Sequence, residues 1–250
     1  MTKKHQPLLV VGLFLIVVLT FNSIILTYAS KSILTSSDYR YDSKTFNDLK
    51  YFTLSKINDD RKKYNLSPLL LSNNTAAQIH ANELLRTKTI SHLTMDGFKP
   101  YMLYSFYNGT GYVQQNVGQI SYVLENGSQD FYTVSDQCYN DAKFYCPIIN
   151  QYQAINDLQH SMMYNDKLCC NDGHKNNILN KYHTHVSIGI AFNDYYFVMV
   201  QNFENHYLGP NFKVMKNDHD IKLEARISDP DKFNFVINHV SFFLDEFPLD

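Results

Sequence analysis

Two runs of apolar residues, separated by a tight turn, constrain the fold of this chain more than any other feature. The first run is HVSIGIAFN, residues 185–193, and the second is YYFVMVQNF, residues 195–203. β-Branched and aromatic residues favour strands, whereas Asn193 at the end of the first run and Asp194 between the runs favour a turn. The pattern therefore predicts a pair of neighbouring antiparallel strands.

Segments on the N-terminal side of these strands carry apolar residues at helical spacing. Three are amphipathic, residues 45–66, 75–89 and 152–166, and a short fourth helix begins at GHKNNILN, residues 173–180. Residues 111–127 are interpreted as extended or short helical structure. Helices that precede a strand pair predict an α+β protein, with the helices packed on an antiparallel sheet.

The N-terminus predicts export from the cytoplasm. Lys3 and Lys4 precede an uncharged, mostly apolar segment that runs from Pro7 to Ser30. About 20 such residues span a bilayer, and basic residues before the span place the N-terminus inside. A signal anchor at 7–28 is favoured over a signal peptide cleaved near Ser30, and both place the bulk of the chain outside the cytoplasm.

The cysteines and possible glycosylation sites agree with export. An even number of cysteines within residues 138–170 predicts disulfides of an oxidising compartment: Cys138, Cys146, Cys169 and Cys170. Three pairings are possible, and we expect neither Cys169 nor Cys170 to bond to its neighbour; a four-cysteine zinc site is the rival interpretation. Glycosylation triplets begin at Asn65, Asn73, Asn108 and Asn126. The formal net charge is −2 and no basic cluster occurs, which argues against a nucleic-acid partner.

The order of motifs resembles the CAP superfamily, which comprises cysteine-rich secretory proteins, antigen 5 and pathogenesis-related 1. INDDRKKYNLSPLLLS and AAQIHANELLRTKTISH resemble the first two family helices, and QNVG resembles the Glu-Asn motif. GHKNNIL resembles a Gly-His-x-x-Asn-Ile-Leu motif of bacterial and archaeal members, and SIGIAF with YYFVMVQNF resembles the closing strands.

The resemblance implies an α-β-α sandwich over about residues 45–209, and the N-terminal sequence pattern adds the segments before it. We expect a cytoplasmic N-terminus at 1–6, the anchor at 7–28, a tether at 29–44, the CAP domain at 45–209 and a short β-rich extension at 210–250. The extension is suggested by alternating runs such as KFNFVINHVSFFLD.

The resemblance also implies a cavity lined by two histidines and two acids. His92 and His174 match the histidine positions, and Asp166 matches the second acid through its MYND context. Gln115, beside Asn116, stands where the first acid usually lies. One carboxylate is therefore replaced by an amide.

Two histidines and a carboxylate are a minimal set of ligands for a divalent metal such as zinc. Asn171 or Asp172 is a suitable N-cap, so His174 is expected in the first turn of a helix, where the positive helix end favours a neutral ring. Gln115 brings no charge and cannot act as a general base, which weakens both metal affinity and acid–base chemistry. His80 and His160 are interpreted as structural, Met162 and Met163 as core residues, and His183 and His185 as a solvated face.

These residues favour a binding role over catalysis. The first hypothesis is a single-pass membrane protein whose extracytoplasmic CAP domain binds a lipid, a glycan or a surface protein and keeps a degenerate metal cavity. The alternative is a metal-assisted hydrolase in which His92, Asp166 and His174 activate water.

Overall fold

The computed structural model describes residues 43–121, 147–207, 213–216 and 221–224, all within one compact unit, Asp42–Asp250. The helices in these ranges are α1 (Ser43–Lys63), α2 (Ala76–Thr87), α3 (Pro100–Phe106), α4 (Gln151–Tyr164), α5 (Asp166–Cys170) and α6 (Gly173–Ile178). The strands are β1 (Leu70–Leu71), β2 (Tyr112–Ile120), β3 (His185–Phe192), β4 (Phe197–Asn205), β5 (Lys213–Lys216) and β6 (Ile221–Glu224).

Four strands form the central sheet, in the order β1-β3-β4-β2. The predicted pair β3 and β4 is antiparallel, with Phe192 opposite Phe197, and β2 pairs antiparallel with the other edge of β4. The short strand β1 pairs parallel with β3. Strand β2 is consequently an edge strand, and its central residues Gln115 and Asn116 lie opposite Asn202 and Gln201.

The two faces of the sheet bury different helices, because successive side chains of a strand point to opposite sides. Phe197, Met199 and Phe203 of β4 join a core cluster with residues of α1 and α4. Val198 and Val200, the alternate positions, join a cluster with residues of α2. The described residues thus form the predicted α+β sandwich of helices on both sides of a sheet, and Met162 and Met163 lie in its core as predicted.

Helix α2 lies unusually close to the sheet at Gly189. A Cβ built there would stand 2.0 Å from the carbonyl oxygen of Ala77, a distance that backbone atoms cannot accommodate. Gly189 therefore allows the backbone of α2 to approach β3, and this contact sets the position of the helix that leads to His92.

Several elements differ from the sequence prediction, and two predicted segments lie outside the described residues. Residues 111–127 include strand β2 and no helix in their described part, and α3, α5 and β1 had not been predicted. Strands β5 and β6 form a two-stranded antiparallel sheet within 210–250, whereas the run at 232–245 lies outside the described residues, as does the anchor at 7–28. Within the described ranges, no helix is both long and apolar enough to cross a bilayer.

Candidate functional site

His174 and Asp166 form a close pair between two short helices. The Nδ1 atom of His174 lies 2.6 Å from the Oδ1 atom of Asp166. The Asp166 side chain is 1% exposed and that of His174 16% exposed. A carboxylate acceptor at Nδ1 orients the ring and holds a proton on that nitrogen.

Asp166 also completes the start of α6. Its Oδ2 atom accepts a hydrogen bond from the backbone N–H of Lys175 at 3.1 Å. The expected capping residue, Asp172, does occupy the N-cap position, but it has a left-handed backbone with φ 62° and makes no side-chain cap bond. The capping carboxylate thus comes from α5, and His174 lies in the first turn of α6 as predicted.

His92 pairs with an amide instead of an acid. Its Nδ1 atom lies 3.0 Å from the Oε1 atom of Gln115, whose Nε2 donates to Asn202 Oδ1 at 3.0 Å. Gln115 is 7% exposed, whereas His92 is exposed. The amide oxygen and the amide nitrogen of Gln115 both make hydrogen bonds, which fixes the orientation of the amide beside the His92 ring.

Asn116 connects the two pairs through β2. Its Nδ2 atom donates to the carbonyl oxygen of His174 at 3.1 Å, and its Oδ1 accepts from Asn177 at 2.8 Å. Since Gln115 and Asn116 are adjacent in a strand, their side chains point to opposite faces of the sheet. The predicted cavity residues therefore form two hydrogen-bonded pairs, His92 with Gln115 and His174 with Asp166, and contacts of α6 with β2 lie between them.

His80 supports the segment that carries His92. Its ring is 1% exposed, and its Nε2 lies 2.9 Å from the carbonyl oxygen of Ser91. Burial lowers the pKa of His80 below its ordinary value. The neutral ring can donate to Ser91, which is consistent with the structural role predicted for this histidine.

Arg61 anchors the other end of α6. Its Nη1 atom donates to the carbonyl oxygens of Ile178 and Asn180, and its Nε donates to that of Ser67. Burial lowers the pKa of the Arg61 guanidinium to about 10. Carbonyls at the end of a helix favour a cation, so Arg61 holds α6, and with it His174, against α1.

The cysteine pairing corrects the sequence prediction. The structure joins Cys169 to Cys170, although adjacent cysteines were not expected to bond. The two residues end α5 directly before the turn into α6, so the cross-link lies beside the Asp166–His174 pair. Cys138 and Cys146 lie outside the described residues.

The predicted metal ligands do not form a three-ligand set. The ligand atoms of Asp166, Cys169, Cys170 and His174 all lie within 4.8 Å of one another. The sulfur atoms are bonded to each other, and zinc binds the thiolate form of cysteine. Asp166 and His174 remain as two ligands, and His92 is not in this group among the described residues. The arrangement does not fit the set of His92, Asp166 and His174.

Other residues singled out in the sequence lie apart from these pairs. Asn65, Asn73 and Asn108 are exposed, and Asn126 lies outside the described residues. His160 is exposed on α4. His183 was assigned to a solvated face, which is wrong: it is 3% exposed, because it is held between Asn205 and Gln114.

One positioning residue, Arg61, was missed in the sequence although it left a signal, and the capping role of Asp166 was not predicted. Arg61 follows Thr53 and Ile57 at four-residue intervals on the buried stripe of α1, where a charged residue requires partners. Asp166 begins α5, the short helix before the Gly-His motif, and its capping role depends on the fold of α5 and could not be inferred from spacing alone.

The described residues form an α-β-α sandwich, in which the His92–Gln115 and His174–Asp166 pairs form polar contacts near the edge strand β2. A family model described as the cysteine-rich secretory protein family, CAP, matches residues 54–203. The match covers more than half of the chain, and the chain belongs to this family. No curated protein sequence matches it.

Similar solved structures come from bacteria. An extracellular protein with an SCP domain from Bacillus anthracis is 15% identical, with a TM-score of 0.38, and the match covers 64% of this chain and 41% of that protein. An outer surface protein from Borrelia burgdorferi is 18% identical, with a TM-score of 0.39 and coverages of 67% and 97%. The CAP domain of enterococcal PrgA is 14% identical, with a TM-score of 0.41 and coverages of 69% and 66%.

Proposed function

We propose that this CAP-family protein acts outside the cytoplasm by binding a lipid, a glycan or a surface protein, and does not catalyse hydrolysis. The observation that carries the proposal is the contact between His92 and the Gln115 amide, 3.0 Å long. An amide accepts and donates hydrogen bonds but takes no proton at neutral pH. The exposed ring of His92 is therefore oriented without a base behind it.

The second pair supports the same conclusion. Asp166 is engaged by both His174 and the Lys175 N–H, so its two oxygens are occupied in holding α6. A carboxylate in that role is a positioning group, since a general base needs an oxygen that faces the proton it removes. If a divalent cation such as zinc binds here, Asp166 and His174 supply two ligands, and affinity is weak.

The alternative is a metal-assisted hydrolase. A bound zinc ion would supply an activated water molecule, and His92, Asp166 and His174 would have to hold it together. That role requires His92 to leave Gln115 and approach the other pair.

Metal analysis separates the two functions. The full chain, purified without chelator, is measured for zinc by elemental analysis beside Gln115→Glu, His92→Ala, His174→Ala and the control His160→Ala. We expect the wild type to hold well below one zinc per chain. Gln115→Glu restores an acid of the same length beside His92, and its zinc content is expected to rise severalfold.

Stoichiometric zinc in the wild type, lost in both His92→Ala and His174→Ala but kept in His160→Ala, would contradict the binding role and favour the hydrolase. No gain of zinc in a folded Gln115→Glu variant would show that the amide is not what limits the site. Circular dichroism of each variant establishes that it is folded.

We also propose that residues 7–28 anchor the protein in the cell membrane. Their support is the uncharged apolar sequence that follows Lys3 and Lys4. Mass spectrometry of the protein from a membrane fraction should find the intact N-terminus. A mature chain that begins near Ser30 would contradict the anchor and indicate secretion.

A further inference from the structure

A second polar cluster lines a cavity where β4 ends and β3 begins. The cavity has a volume of about 490 Å³, within the range of small-molecule sites. Its walls come from the segment after β1, the end of α3 with the loop that follows it, and the residues Glu204, His206 and His185. We name it the Glu204 pocket; it shares no lining residue with the two pairs described above.

Glu204 is the one acidic residue among the described residues that line this pocket, and it is 0% exposed. Its Oε2 atom accepts hydrogen bonds from Ser72 Oγ at 2.8 Å and from Tyr104 Oη at 3.2 Å. The Nε2 atom of His206 lies 2.6 Å from the same oxygen. Three donors therefore converge on one carboxylate oxygen.

The second oxygen of Glu204 is different. Oε1 is buried and has no hydrogen-bond partner among the described residues. A buried carboxylate with an unsatisfied oxygen is costly unless a cation or further donors balance it. None of the described residues that line the cavity is Lys or Arg, so within this part of the chain no permanent cation lines the pocket beside the carboxylate.

The walls are fixed independently of any ligand. Asn74 Nδ2 donates to the carbonyl oxygens of Tyr104 and Tyr107, at 3.1 and 2.9 Å, and so joins the segment after β1 to the end of α3. A Cβ at Gly109 would lie 2.3 Å from the Tyr104 ring. Glycine at this position is what lets the ring pack where its hydroxyl reaches Glu204.

Two features favour an organic cation over a metal ion. Glu204, His185 and His206 do not appear among the described residues whose three or more ligand atoms lie within 4.8 Å of one another. The lining also offers tyrosine rings and neutral side-chain amides, which suit an ammonium group and a short carbon chain better than a bare dication.

We propose that the Glu204 pocket binds a small organic cation that carries a primary ammonium group. The ammonium lies beside the Glu204 carboxylate, and its carbon chain packs against Tyr107. His206 follows the end of β4, and its side chain is 35% exposed; it is the partner that the ligand replaces at Glu204. The ligand class extends beyond the lipid, glycan or protein proposed for the other site.

Isothermal titration calorimetry on the full chain in a non-ionic detergent tests the proposal. The probes are n-butylammonium and putrescine, and 1-butanol is the neutral probe of the same length as butylammonium. Both amines should bind saturably and 1-butanol should not. Glu204→Gln should weaken amine binding about tenfold or more, because it removes the charge and keeps the shape.

Matched variants keep the result interpretable. Glu224→Gln makes the same chemical change outside the pocket and should leave amine binding unchanged. Asn73→Arg adds a cation at the exposed rim and should also weaken amine binding, whereas Asn73→Gln should not; this pair decides the matter if Glu204→Gln fails to fold.

Three results would overturn the proposal. The first is that neither amine binds. The second is that 1-butanol binds as tightly as butylammonium, and the third is that a folded Glu204→Gln variant keeps wild-type affinity for the amines. Stoichiometric zinc or manganese in the purified protein, lost in Glu204→Gln, would equally overturn it and assign the pocket to a metal.

Discussion

Two buried carboxylates of this protein each lie 2.6 Å from a histidine nitrogen, yet their surroundings differ. Asp166, with His174, has one donor at each of its two oxygens. Among the described residues, Glu204, with His206, has three donors at one oxygen and none at the other. Asp166 links two helices, whereas Glu204 lines an open cavity.

The difference separates structural from ligand-binding carboxylates. A buried acid whose oxygens are both satisfied contributes stability, and removing its charge leaves its donors unpaired. A buried acid with an unsatisfied oxygen costs stability unless a cation or a further donor completes its bonding. The same acid–histidine contact is therefore no guide to function until each oxygen is accounted for.

The largest expected effect is that of Asp166→Asn. The amide can accept one hydrogen bond but presents an NH₂ group to the other donor, so either His174 or the Lys175 N–H loses its partner. We expect the free energy of unfolding to fall by about 2 kcal/mol. Urea unfolding at constant pH measures the change.

Asp172→Asn is its matched control. Asp172 makes no side-chain cap bond, and Asn tolerates the left-handed backbone, so the change should stay within about 0.5 kcal/mol. Equal losses in the two variants would show that Asp166 has no special role at α6.

Glu204→Gln should have a smaller effect on stability. It removes an unbalanced buried charge and retains an oxygen that can accept from Ser72 and Tyr104. We expect the free energy of unfolding to change by less than about 1 kcal/mol, in either direction. A loss as large as that of Asp166→Asn in the same urea experiment would erase the contrast between the two acids.

The smallest effect concerns the titration of His185, whose ring stacks on that of His206 at 4.0 Å. Burial and then His206 lower the pKa of His185, while Glu204 raises it. The pKa should therefore rise in His206→Gln and fall in Glu204→Gln, as followed by NMR of the imidazole Cε1–H. Shifts in the same direction would contradict this account.

The sign for stability follows from the same pKa. The folded value lies below the unfolded value of about 6.5, so the unfolded chain takes up the proton first as the pH falls. The contribution of His185 is present above about pH 6.5 and is lost as the pH falls through the folded pKa. Urea unfolding at pH values on either side of this window measures the loss.

Periodicity in the sequence predicted the large elements. Apolar spacing located α1, α2 and α4, and the two apolar runs located β3 and β4 within two residues at each end. Helix α3, with seven residues, and strand β1, with two, were missed. Elements this short have too few residues for a periodic pattern, and they owe their stability to tertiary contacts.

The site was predicted in composition but not in arrangement. Family resemblance placed His92, His174, Asp166 and Gln115 in one cavity, and the structure has them as two pairs. The sequence could not show this, because the contact between Asp166 and His174 depends on how α5 leads into α6, and α5 is too short to be predicted from spacing. Glu204 gave a weaker signal, a lone acid within an apolar strand, and it was passed over.

The bond between Cys169 and Cys170 has a consequence for chain entropy. A disulfide stabilises a protein largely by lowering the conformational entropy of the unfolded chain, and the effect grows with the length of the loop that it closes. A bond between neighbouring residues closes no loop of intervening residues. Reductant should thus open this bond without much change in the melting temperature. The disulfide restricts the backbone dihedral angles of one turn, as a ring restricts a cyclic peptide. It does not connect distant parts of the domain.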